Sequence, residues 1–97
     1  MKKKTVLRRL YAIKNQLNEF GVTRLGLFGS TVRSENTPKS DIDILIDFEN
    51  GQETYSNFLN VCKLLEDNFK RNKLDVVTFK GLSPYIGKDI LNEVEYV

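Results

Sequence analysis

The stretch Asp41-Ile42-Asp43-Ile44-Leu45-Ile46-Asp47-Phe48 constrains this chain more than any other. Its apolar residues recur with period two. Ile42, Ile44, Ile46 and Phe48 leave one face of a strand, and Asp41, Asp43, Leu45 and Asp47 leave the other. The first face must be buried. The second carries three acids on a short segment, so it must stay open to water or to a ligand. Within 97 residues such a strand can belong to only one core, and a single domain spanning residues 1–97 is expected.

The flanking segments supply the cover. Val6, Leu10, Ile13, Leu17 and Phe20 recur at helical steps, and Gly21 offers a left-handed stop. Val22 to Phe28 reads as a strand ending at Gly29-Ser30, and Thr31 to Ser34 as a helical turn. Glu35 to Lys39, with Pro38, is loop, and Asn50-Gly51 marks a turn. Tyr55, Phe58, Cys62, Leu65 and Phe69 give a second helix, with Lys70, Arg71 and Lys73 at its end. Leu74 to Phe79 is a third strand. Ser83-Pro84 predicts the start of a last helix whose buried side is Ile86, Ile90, Leu91 and Val94. The fold class is α/β: a two-layer sandwich of a small mixed β-sheet with helices packed on it.

Composition narrows the chemistry. There is no histidine, which removes imidazole bases and histidine metal sites, and one cysteine, Cys62, which removes an internal disulfide. Cys62 falls in an apolar stripe and reads as core. No apolar run is long enough to span a membrane, and the basic start Lys2-Lys3-Lys4 is not followed by a signal-peptide core. The expected location is cytoplasmic. The net charge of +2 does not by itself call for nucleic acid. Five of the fifteen basic residues lie in the first nine; they read as a solvated tail.

Carboxylates must then carry the chemistry. Asp41 and Asp43 are two apart on a strand, with Cα atoms roughly 7 Å apart on one face. Two such charges resist joint ionisation unless a cation lies between them, and magnesium prefers oxygen ligands while leaving room for phosphates. A third carboxylate allows two ions about 4 Å apart, the arrangement of phosphoryl and nucleotidyl transfer. Asp75, flanked by Leu74 and Val76, is the natural third. Asp47 reads as surface charge. Gly29-Ser30 sits at a strand-to-helix turn, where N–H groups and a hydroxyl can meet a phosphate. Arg33 is one turn onward and within reach of the same phosphates. Ser40 heads the next strand, its hydroxyl placed to bond local backbone.

Leu27-Phe28-Gly29-Ser30-Thr31-Val32-Arg33, continuing to Ser40-Asp41-Ile42-Asp43-Ile44-Leu45-Ile46-Asp47-Phe48, resembles the minimal nucleotidyltransferases. These belong to the DNA polymerase beta-like nucleotidyltransferase superfamily. The pattern is Gly-Ser, ten residues, Asp-x-Asp, then a third Asp on a later strand, matched by Asp75. The resemblance covers nearly the whole chain. It implies the nucleotidyltransferase fold, ATP as donor and magnesium, as two ions, held by Asp41, Asp43 and Asp75. It places Gly29, Ser30, Arg33 and Ser40 at the nucleotide. It also implies a hetero-oligomer with a HEPN-type ribonuclease toxin, neutralised by transfer of AMP to a tyrosine of that toxin. No membrane and no direct nucleic-acid contact are expected. A non-catalytic antitoxin acting by binding alone is the alternative, as is transfer to a small molecule or RNA with a second subunit. One departure stands out: the family often has Ala-Arg-Gly where this chain has Val32-Arg33-Ser34.

Overall fold

The computed structural model describes all 97 residues. Helix α1 runs Lys3–Glu19 and buries Val6, Leu10, Ile13 and Leu17, the stripe expected from the sequence. It ends where Gly21 takes φ +91°, a conformation that side chains resist. The Gly21 carbonyl then accepts the Glu49 N–H at 2.8 Å, so the turn also ties the strand ends together.

Strands β1 (Val22–Phe28), β2 (Ile42–Phe48), β3 (Leu74–Thr78) and β4 (Glu95–Tyr96) form one mixed sheet in the order β3-β2-β1-β4. β1 pairs antiparallel with β2 and with β4, and β2 pairs parallel with β3. Cross-strand partners share a face. Leu25 and Leu27 therefore lie beside Ile46 and Ile44, with Val76 beyond Ile44. Helices α1 and α2 (Tyr55–Asn68) cover that face, and Val61 and Leu65 of α2 are fully buried in the same core cluster. Gly26, Leu45, Phe28 and Asp43 share the opposite face with Asp75. The C-terminal segment covers part of it: a Cβ on Gly26 would meet the Val94 side chain. This mixed sheet with packed helices is the α/β architecture expected from the sequence.

Several local expectations are corrected. Leu65 and Phe69 are buried as expected, but Val61 also lies in the buried stripe, while Cys62 is only half-buried and Tyr55 is exposed. Thr54 caps the start of the helix, its hydroxyl accepting the Asn57 N–H at 3.1 Å. Lys70, Arg71 and Lys73 do not complement the helix dipole, because α2 ends at Asn68 and they occupy the loop before β3. The last helix, α3 (Gly87–Glu93), begins four residues after Ser83. Ser83 is spent on a turn instead. Its hydroxyl accepts the Tyr85 N–H at 3.1 Å and its carbonyl the Gly87 N–H at 2.7 Å. Ile86 and Leu91 are consequently exposed, and only Ile90 and Val94 are half-buried. β4 has no counterpart in the sequence reading.

Candidate active site

The parallel pairing of β2 with β3 places Asp43 and Asp75 directly across from each other. Asp41 stands one residue before β2, where the Ile42 N–H bonds the Lys73 carbonyl at 2.9 Å. All three acids thus gather at one end of the β2–β3 pair. Asp43 is half-buried and Asp75 exposed. Partial burial pushes the Asp43 carboxyl up to about 6, helped by the charges of Asp75 and Asp41 and a hydrogen bond shared with Asp75; Arg33 acts against the rise. Crowded carboxylates of this kind invite a cation.

No three acidic, thiol or imidazole groups stand close enough to form a ready-made metal cluster. The donor set nevertheless fits magnesium, a hard ion that takes carboxylate oxygens and keeps positions for phosphate. A second feature points the same way. Phe28 pairs with Asp43, and Gly29 follows it at φ +77°. A Cβ on Gly29 would run into the Asp43 carboxylate. The carboxylate therefore sits in a cradle that only glycine leaves open.

Gly29–Thr31 forms a short 3-10 turn on leaving β1. Ser30 is half-buried, and its carbonyl accepts the Glu35 N–H at 2.9 Å, which closes the loop. Arg33 is exposed and donates to Glu93 at 2.8 Å and to Glu35 at 3.2 Å. The Glu93 bond is the main reason its guanidinium holds its proton more firmly than usual. Ser34, where the family often has glycine, is the one non-glycine residue at positive φ, 59°. Ser40 turns inward to its own loop. Its hydroxyl accepts the Thr37 N–H at 2.9 Å, so it shapes the approach to Asp41. Asp47 is removed from the acid cluster by an ion pair with Arg24 at 2.8 Å, and Arg24 stacks on Phe79.

The sequence reading missed Glu93. Its two oxygens take the Gly29 N–H at 2.9 Å and the Arg33 guanidinium at 2.8 Å. No local pattern marks it, since a charge on a short terminal helix reads as surface.

Comparisons with known proteins bear on the fold and the family. The model of the nucleotidyltransferase domain matches residues 10–97. The protein adenylyltransferase MntA of Thermococcus cleftensis is 40% identical over 89 residues, covering 91% of this chain and 88% of that protein. A solved minimal nucleotidyltransferase superposes with a TM-score of 0.83 at 29% identity, over 98% of this chain and 95% of its own. A toxin–antitoxin structure with AMP-PNP shares the fold, with a TM-score of 0.67 at 16% identity, over 99% of this chain and 72% of its own. The chain belongs to the minimal nucleotidyltransferase family of the DNA polymerase beta-like superfamily. It is an enzyme of the nucleotidyltransferase class.

Proposed function

We propose that residues 1–97 form one minimal nucleotidyltransferase domain that transfers AMP from ATP to a tyrosine of a cognate HEPN-type ribonuclease toxin, and so acts as an antitoxin. The observation that carries this reading is the register of Asp43 against Asp75, with Asp41 leading, beside the glycine that makes room for Asp43. A relative named protein adenylyltransferase and a toxin–antitoxin structure of the same fold support the acceptor class.

Asp41, Asp43 and Asp75 would hold magnesium. When bound, it neutralises the triphosphate and eases ionisation of the attacking hydroxyl. The chain's own residues do the rest. The Gly29–Ser30 turn and Arg33 orient the phosphates. The tyrosine oxygen attacks the α-phosphorus, forming a new P–O bond as the bond to the β-phosphate bridging oxygen breaks and pyrophosphate leaves. Asp75, the exposed member of the trio, takes the hydroxyl proton. No imidazole is required, consistent with a chain that has none.

In this reading the partner itself presents the acceptor hydroxyl. The setting is cytoplasmic, and no helix is long and apolar enough to cross a membrane. Incubation with labelled ATP, magnesium and the partner toxin tests the reading. Label should move to the toxin and disappear with Asp41→Asn and Asp43→Asn together. A carboxylate variant that neutralises the toxin in cells as well as the parent protein does would instead support binding alone.

A further inference from the structure

Glu93 is an acid that the proposed reaction does not use, yet it anchors both ends of the loop proposed to meet the phosphates. One of its oxygens accepts the Gly29 N–H, and the other accepts Nη1 of Arg33. These donors are the first residue of the phosphate turn and the cation one helical turn later. A single carboxylate therefore spans the loop and fixes the separation of its two ends, with Ser30, Thr31 and Val32 between them.

The carboxylate is itself rigidly mounted. Two residues beyond it, β4 pairs Glu95 with Leu27 and Tyr96 with Gly26. Val94 packs where Gly26 lacks a side chain. Lys3 of α1 pairs with Glu95 at 2.9 Å. Glu93 thus projects from a segment locked to the edge of β1, the same strand that delivers Gly29. Partial burial raises its pKa, but the bonds from Arg33 and the Gly29 N–H outweigh this, and the group is held below the usual carboxylate range. It is ionised at neutral pH and offsets the Arg33 charge.

We infer that Glu93 is a positioning residue for nucleotide binding, acting through the Gly29 N–H and Arg33 to hold the phosphate loop in its receptive shape. Its effect on substrate passes through these two groups. A bare acid beside a triphosphate would repel it; an acid already paired with a guanidinium and a backbone N–H does not carry that full penalty. This role rests on the proposed nucleotide site, but not on the identity of the acceptor.

Titration calorimetry with AMP-PNP and magnesium tests it without a partner protein. Glu93→Ala should weaken binding about tenfold or more, the scale of a lost charge-assisted hydrogen bond. Glu93→Gln keeps an acceptor for the Gly29 N–H, is nearly isosteric, and should fall between the two. Paired with Arg33→Ala, the alanine variant should add little, because both act through one contact. A purely structural role would lower the melting temperature without moving affinity well below it. Unchanged or tighter binding by a folded Glu93→Gln or Glu93→Ala variant overturns the inference and leaves the nucleotide site standing. Failure of the parent protein to bind AMP-PNP at all overturns both.

Discussion

Asp43 and Asp75 face each other in register across the only parallel strand pair of the sheet, and the charge of Asp75 helps to raise the Asp43 pKa. An antiparallel hairpin could not set two such acids at the same end from strands separated by a helix. The crossover through α2 brings Asp75 beside Asp43, and the same crossover buries Val61 and Leu65 beneath them. Placement of these two acids and core formation are one event in this fold.

The raised Asp43 pKa gives a pH signature. Its folded value, about 6, lies above the ordinary aspartate value near ~3.9. Ionisation is therefore penalised in the folded state. The penalty is absent below pH ~4 and complete above pH ~6, so stability from this group falls as pH rises through that window. Asp43→Asn should stabilise the metal-free protein at pH 8 by about 1–2 kcal/mol after solvent screening, and the gain should vanish near pH 4. Thermal melts across that range check it. Magnesium should reverse the order at pH 8, by stabilising only the parent protein.

Gly29→Ala should be far more damaging than an ordinary loop substitution. The new methyl meets the Asp43 carboxylate at a backbone φ of +77°. Strain at such a position costs about 1–3 kcal/mol, and Asp43 must turn away from its place. Loss of magnesium-dependent AMP-PNP binding alongside a lower melting temperature is expected.

Ser34→Gly should do the opposite. Ser34 holds φ 59° where the family often has glycine. Relief of the left-handed conformation is worth about 1–2 kcal/mol, against about 0.5–1 kcal/mol for the added freedom of the unfolded chain. A small net gain in chemical-denaturation midpoint follows, with nucleotide binding at least as tight.

The face of α2 can be checked by contrast. Leu65→Ala should cost about 2–5 kcal/mol, the range for emptying a packed core site. Cys62→Ser, at a half-buried thiol, should cost under about 1 kcal/mol. Equal losses would mean that the helix is rotated from its position here.

What could be read in the sequence follows from distance along the chain. The alternation of Ile42, Ile44 and Ile46 against Asp41 and Asp43 needs no tertiary information, and neither does the α1 stripe. In α2 the expected Leu65 and Phe69 are buried and Phe58 packs against the core, but Tyr55 and Cys62 satisfy helical spacing as well as Val61 does, and only tertiary packing selects Val61. Ser83-Pro84 looks like a helix start, but its hydroxyl is consumed two residues on. β4 is two residues long, too short for any pattern. Glu93 meets Gly29 from 64 residues away and Arg33 from 60, distances at which no sequence pattern links them.

The proposed metal site at Asp41, Asp43 and Asp75 beside the Gly29–Ser30 turn is tested most directly by manganese-induced line broadening in the amide NMR spectrum of the AMP-PNP-bound protein. Broadening should centre on residues 29–31, 41–43 and 75 and disappear in Asp41→Asn with Asp43→Asn. Broadening centred instead on Asp47 and Glu49, or none at all while the nucleotide stays bound, would contradict a metal site at these three acids.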